Sequence, residues 1–286
     1  MTKEAFTARA EAYGFRKTGF FPPDDGNGVI IMMLMPYLPY VKQNGPAVSA
    51  YYPASNRAYH ACRQLADELK ADGFAAEADP DIRCKPILSR FGMAAYGRNG
   101  LTACPPFGSR YAVACIRTDA PFEADSDEPL PYRLDESCAG CDRCLKACPT
   151  GALDGTGRVD LDKCVRAQPD AGPVKDEYRK FVFNSLMGCD ICQDVCPRNG
   201  ALERVDMPRE LRELLAPEKL LSGDIEGLKP ILGSNFARKN RIVSRALLVC
   251  ANLGRKDLLP AVEELKKNGV PGIAGHAEWA SKILSE

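Results

Sequence analysis

Several absences narrow the possibilities before any motif is read. The formal net charge is zero, so the chain as a whole is not a polyanion binder, and any such contact has to come from a local basic patch. The longest apolar run, Val29 to Met35, is far shorter than the ~20 residues a helix needs to cross a bilayer, which predicts no membrane partner. The opening MTKEAFTARAEAY is charged and has no apolar h-region, so no secretory signal is expected and the protein reads as cytoplasmic. No GxGxxG opens a helix after a strand, which leaves a Rossmann dinucleotide site unsupported. No segment is of low complexity.

Cysteine is plentiful. Thirteen cysteines in a chain read as cytoplasmic argue for metal or redox chemistry and against a disulfide scaffold. In CAGCDRCLKACPT, Cys138, Cys141 and Cys144 stand at x₂ spacing, Cys148 follows at x₃, and Pro149 comes next. This is the bacterial ferredoxin spacing for a 4Fe–4S cluster, in which the cysteine before proline serves the neighbouring cluster. GCDICQDVCPRN supplies Cys189, Cys192 and Cys196, again with a proline after the last. Two cubanes need eight thiolates and the two motifs give seven, so Cys164 in LDKCVRAQ is expected to be the eighth. The assignment is Cys138, Cys141, Cys144 and Cys196 to one cluster, and Cys148, Cys164, Cys189 and Cys192 to the other. Structural zinc, which prefers well-separated pairs around a tetrahedral site, fits this run poorly. The remaining Cys62, Cys84, Cys104, Cys115 and Cys250 read as small buried apolar residues.

The fold class read from the pattern is α+β. A helix is expected over Lys3 to Tyr13, strands over Phe15 to Phe20 and Val29 to Met35, and a helix capped by Ser55 or Asn56 that runs to Gly73. Another helix is expected over Pro86 to Tyr96 and a strand over Arg110 to Thr118. The proline-rich, acidic stretch 121–136 reads as a linker. From Pro208 the chain turns helical: Pro208 to Leu215, Asn235 to Asn252, Lys256 to Lys267 and His276 to Leu284. The last three resemble one HEAT-type repeat, which cannot bury its own face and should pack on what precedes it. The boundaries expected are 1–122 for an α/β unit, 123–206 for a ferredoxin-like unit and 207–286 for the helical tail.

Two adjacent cubanes make a wire for single electrons, and a wire inside a longer chain predicts an acceptor bound to that chain. Three stretches point to a family. GCDICQDVCPRN, CAGCDRCLKACPTGAL with LDKC, and the block KPILSRFGMAAYGRNGL…FGSR resemble the epoxyqueuosine reductase family, cobalamin-dependent enzymes carrying two 4Fe–4S clusters. The resemblance implies a nitroreductase-like α/β corrinoid fold, shared with reductive dehalogenases, and cobalamin as the missing acceptor. It places cobalamin contacts in SNRAYH (Asn56, Tyr59, His60), in GRNG (Arg98, Asn99) and in GSR (Ser109, Arg110), with no protein ligand to cobalt. It implies reduction of epoxyqueuosine in tRNA, fed by an external low-potential electron donor. RNA contact is expected on FARKNRIVSR, through Arg238, Lys239, Arg241 and Arg245.

The chain departs from the family near the substrate. Where the family carries Asp-Ser/Thr-x-Pro-x-x-Glu-Arg, this sequence has Arg83, Cys84, Lys85, Pro86, Ile87, Leu88, Ser89 and Arg90. Arginine gives up no proton at neutral pH, so the donor is expected at Asp81, with Asp79 second. VRAQPDAG (165–172) also differs from the family, and PPDDGNG is a short link between the first two strands. Two alternatives stay open: a paralogue reducing another small electrophile, and a non-catalytic electron-transfer protein.

Overall fold

Residues 29–36 form a strand buried on both faces, and the N-terminal architecture follows from that. The computed structural model describes residues 1–126, 128–168 and 174–286, so Asp127 of the acidic linker and Pro169 to Gly172 of the divergent VRAQPDAG segment lie outside the described residues. The first part runs α1 (Lys3–Ala12), β1 (Lys17–Phe21), β2 (Val29–Pro36), β3 (Ala47–Val48), α2 (Tyr51–Ala71), β4 (Ala76–Ala78), α3 (Cys84–Arg90), β5 (Ala95–Tyr96), β6 (Thr102–Ala103) and β7 (Tyr111–Thr118). The cysteine-rich part contributes short pieces, α4 (Arg143–Ala147), α5 (Asp176–Arg179), β8 (Ser185–Met187) and α6 (Ile191–Asp194). The rest is helical: α7 (Arg209–Leu214), α8 (Pro217–Ser222), α9 (Lys229–Leu232), α10 (Lys239–Asn252), α11 (Leu259–Asn268) and α12 (Pro271–Ser285). The content is mixed helix and sheet, as expected.

The main sheet has the order β1-β2-β7-β4 and is antiparallel throughout. Side chains alternate along a strand. Val29, Ile31, Met33 and Met35 therefore meet Phe6 of α1 and Ala58, Leu65 and Leu69 of α2. Ile30, Met32 and Leu34 meet Leu88 of α3, Met93 and Cys115. The unbroken apolar run is the signature of a strand with both faces covered. Each such side chain contributes about 1.5–3 kcal/mol on burial.

Several boundaries differ from the sequence reading: α10 starts at Lys239 rather than Asn235, α11 at Leu259 rather than Lys256, and α12 at Pro271 rather than His276. Helix α2 starts at Tyr51, not near Ser55, and Pro53 sits in its first turn, where a missing N–H costs nothing. Ala50 stands at the N-cap and offers no side-chain cap, and Ser49 Oγ, one residue earlier, accepts the Tyr51 N–H at 3.3 Å. Helix α3 stops at Arg90 rather than Tyr96, and Gly92 follows with a left-handed φ of 71°.

The parts are joined through backbone and core. β3 pairs in parallel with β8. One core combines Val48, Tyr52, Leu186 and Met187 with Leu220, Leu232, Ile242 and Leu247, so the helical tail does pack on the preceding residues.

Candidate active site

A cavity of about 760 Å³ opens where the N-terminal sheet meets the cysteine-rich segment. Its sheet-side wall carries Tyr37 after β2, Tyr51 and Tyr52 from the first turn of α2, and Tyr111 at the start of β7. The start of α3 brings Arg83, Cys84 and Lys85 to it, and the turn after β5 brings Asn99. The opposite wall carries Cys148, Cys164, Cys189 and Cys192. These are the four cysteines that ligand counting assigns to a single cluster. Cys138, Cys141, Cys144 and Cys196 do not line the cavity.

The thiols are near enough to feel one another, chiefly within those two sets, with Cys144 also raising Cys192 across them. Burial, and then the charges of Cys164, Asp190 and Cys148, push the Cys189 thiol up to about 11. Burial, then chiefly Cys189 and Cys164, push Cys192 up to about 12. Cys144 is raised by burial and by Cys196 and Cys138. Crowded thiols with raised pKa values are a poor resting state, and an iron–sulfur cluster relieves them by binding the thiolates.

A polar frame holds the cavity's floor. Arg110 is 1% exposed and pairs with Asp194 (Nη2 to Oδ1, 2.6 Å) and Asp190 (Nη1 to Oδ2, 3.2 Å). Asp190 Oδ1 also accepts from Ser49 Oγ at 3.0 Å and Gln193 Nε2 at 3.2 Å. The Ser109 N–H donates to Asn199 Oδ1 at 2.8 Å, and its Oγ donates to Gln193 Oε1 at 3.1 Å. Close approach here requires Gly108, where a Cβ would stand 2.0 Å from Asn199 Oδ1.

The cavity gathers some of the expected contacts and not others. Asn99 and Ser109 line it. Arg110 does not: its guanidinium is engaged by Asp190 and Asp194. Arg98 turns away and donates to the carbonyls of Cys141 (2.8 Å) and Gly155 (3.1 Å), tethering the first cluster loop. Because α2 begins early, residues 55–60 lie further along the helix than the cavity mouth. Asn56 donates to Pro230 O at 2.7 Å, and Tyr59 and His60 are exposed and stacked edge to face. Asp79 and Asp81 are exposed in the turn before α3 and do not line the cavity, because that turn leaves β4 at the far edge of the sheet.

Sequence reasoning missed Lys85, the tyrosines and Arg166, whose guanidinium lies 5.6 Å over the Tyr51 ring. Lys85 and Arg83 lie inside the segment that departs from the family pattern, and their cationic character is the available signal. Cys84, expected to be buried, is half-buried at the cavity, with Sγ 3.8 Å from Cys115 Sγ. Cys62, Cys104, Cys115 and Cys250 are buried as expected.

A second cleft, about 850 Å³, lies beside α10 and is lined by Arg238, Lys239, Arg241, Ser244, Arg245 and His276 among others. Arg238 and Lys239 are exposed and Arg241 is partly so. Arg245 corrects the expectation. It is 3% exposed and donates to Val165 O at 3.1 Å, so it ties the tail to the cluster segment rather than presenting charge at the surface.

Residues 137–199 match the 4Fe-4S double cluster binding domain family. The chain is 33% identical over 252 residues to an epoxyqueuosine reductase of Staphylococcus aureus, covering 80% of this chain and 63% of that protein. It is 30% identical over 266 residues to one of Pseudomonas aeruginosa, covering 84% and 70%. A solved epoxyqueuosine reductase with an epoxyqueuosine-modified tRNA-Tyr stem loop superposes with a TM-score of 0.76 at 24% identity, covering 99% of this chain and 90% of that one, a likeness of fold. The chain spans between about half and three-fifths of the length of the Bacillus and Staphylococcus relatives it matches. With 30% identity sustained over 70% of the Pseudomonas protein, this chain belongs to the epoxyqueuosine reductase family.

Proposed function

We propose that this protein is a cobalamin- and iron–sulfur-dependent reductase that converts epoxyqueuosine to queuosine in tRNA. The observation that carries the reading is the cavity itself: four cysteines of one cluster set form a wall of a largely apolar space of about 760 Å³, in the upper part of the roughly 300–1,000 Å³ range of cofactor pockets. The residues present suit a corrinoid. The tyrosines offer flat apolar surface, Asn99 and Ser109 offer amide and hydroxyl groups to corrin side-chain amides, and no histidine lines the space among the described residues. Bound cobalamin would supply a low-potential metal centre for two-electron reduction of a carbon–oxygen bond. The eight cysteines would hold two clusters fed by an external low-potential donor. The reaction consumes two electrons and two protons per epoxide and yields an alkene and water.

The basic cleft beside α10 supports tRNA as the carrier of the substrate, since Arg238, Lys239 and Arg241 can contact phosphates. In this reading residues 1–122 are the nitroreductase-like corrinoid unit, 123–206 the ferredoxin-like unit and 207–286 a HEAT-like tail. No described helix is long and apolar enough to cross a membrane, and the tRNA substrate favours a cytoplasmic setting. The test is anaerobic reconstitution with iron, sulfide and cobalamin, followed by gel filtration and visible spectroscopy. Retention of about one corrinoid with about eight irons per chain is expected. Iron-replete protein that never retains cobalamin would leave an electron carrier as the better reading.

A further inference from the structure

The cavity lacks a free carboxylic acid among its described lining residues. Its one lining carboxylate, Asp190, has Arg110 on one oxygen and Ser49 and Gln193 on the other. Residue 83 is an arginine, and Asp79 and Asp81 lie outside. Removing an epoxide oxygen still requires an acid, because an unprotonated alkoxide is a poor leaving group.

Phenols, a thiol outside the cluster set and an ammonium also line the space. Of the five lining tyrosines, burial raises the phenols of Tyr37, Tyr96 and Tyr111, away from neutrality. The Cys84 thiol turns inward, 3.8 Å from Cys115 Sγ and 3.5 Å from Ile82 O. Lys85 differs from both. It lines the cavity; the residue as a whole is exposed, but its ammonium is part-buried and oriented by one hydrogen bond, Nζ to Gly100 O at 3.0 Å. Desolvation by the surrounding protein, and then the Arg166 charge, hold that ammonium below the usual lysine range, against an opposing pull from Cys192 and Cys164. Lysine adapts its pKa to its surroundings in this way, whereas arginine does not.

We propose that Lys85 is the catalytic proton donor of this site, protonating the oxygen that leaves the epoxide carbon in place of the carboxylic acid that residue 83 does not provide. The inference rests on the reductase reading. The two electrons come from the external low-potential donor. As the carbon–oxygen bonds break, the oxygen takes one proton from Lys85 Nζ and a second from water, and departs as water. The two carbons are left joined by a double bond, and the neutral amine regains its proton from solvent. Arg166, on the cysteine side, would favour the neutral amine after transfer.

The test compares fully loaded wild type with Lys85→Arg and Lys85→Gln. Arginine keeps the charge and can reach Gly100 O, yet gives up no proton at neutral pH. Both variants should hold the same iron and corrinoid as wild type and turn over epoxyqueuosine-containing tRNA at least about 100-fold more slowly. A second readout needs no cofactor: trace acetylation of metal-free protein across pH, read by mass spectrometry, should label Lys85 at lower pH than exposed Lys256. Lys85→Arg turnover equal to wild type, or Lys85 labelling in step with Lys256, overturns the proposal while leaving the reductase reading intact. An inactive, fully loaded wild type overturns both.

Discussion

Arg110 and Asp194 are bound 2.6 Å apart, Nη2 to Oδ1, with the arginine 1% exposed. The arginine precedes β7 of the N-terminal sheet, and the aspartate ends α6 inside the second cysteine motif, between Cys192 and Cys196. The pair therefore fixes one wall of the cavity against the other. Removing the arginine takes a buried cation from Asp190 and Asp194, but Asp194 keeps Arg204 at 2.7 Å and Lys42 at 3.7 Å, so the cost falls short of the ~3–5 kcal/mol of a fully orphaned buried charge. Arg110→Ala should destabilise the cofactor-free protein by about 1.5–3 kcal/mol in urea unfolding, the range for hydrogen bonds to charged groups. Ser109→Ala removes a hydroxyl that donates to Gln193 Oε1 at 3.1 Å and accepts from Asn199 Nδ2 at 3.0 Å; it should cost about 1–3 kcal/mol and also weaken corrinoid retention.

Iron content should divide along the two cysteine sets. Cys164→Ala is expected to lower iron from about eight to about four per chain and to broaden or abolish the signal of the cluster at the cavity wall. Cys138→Ala should spare that cluster and remove the other. Cys115→Ala should change neither. Equal iron in Cys164→Ala and Cys115→Ala would place the eighth ligand elsewhere.

His276 gives the fold a pH dependence of definite sign. It is 2% exposed, its Nε2 accepts the Val174 N–H at 3.1 Å, and its Nδ1 lies 2.6 Å from Ser244 Oγ. Burial, and then the charge of Arg179, lower it from 6.5 to about 4. The folded pKa is thus below the unfolded one, and as pH falls the unfolded state takes the proton first. The contribution is complete above about pH 6.5 and is lost as pH falls towards 4, amounting to about 3 kcal/mol across the window. In His276→Gln, chemical denaturation at a series of pH values should show the gap from wild type closing over that interval. A constant gap would contradict this role for the buried imidazole.

The basic cleft makes a separate, salt-dependent prediction. Arg238→Ala with Lys239→Ala should weaken tRNA binding and flatten the plot of log affinity against log salt by about 0.7–0.9 for each phosphate no longer neutralised. Arg245→Ala should leave the slope alone and lower stability, because its guanidinium bonds Val165 O inside the protein. Filter binding across a salt series separates the two outcomes.

What the sequence makes legible is local, and what it hides is long-range. The cysteine spacing points to the clusters because cubane ligation constrains neighbours along the chain. The run 29–36 reads as a strand covered on both sides because its composition permits little else. The start of α2 is masked by Pro53, a residue equally at home in a first turn or a break. Arg110 offers a hydrogen-bonding side chain near a cofactor, but its partners Asp190 and Asp194 come from the distant second cysteine motif. Asp81 looks plausible as an acid only until the edge position of β4 shows its turn lying outside the cavity. Lys85 looks like an ordinary surface lysine until Cys164 and Cys192 are seen across the cavity from it.

The central claim is that this cavity joins cluster electrons to reduction of an epoxide on tRNA. The direct measurement is mass spectrometry of nucleosides from epoxyqueuosine-containing tRNA, incubated anaerobically with reconstituted protein and a low-potential reductant, with and without cobalamin. The predicted result is loss of one oxygen from the modified nucleoside in repeated turnovers, with cobalamin required. An unchanged nucleoside in the presence of protein that holds both clusters and cobalamin would contradict it.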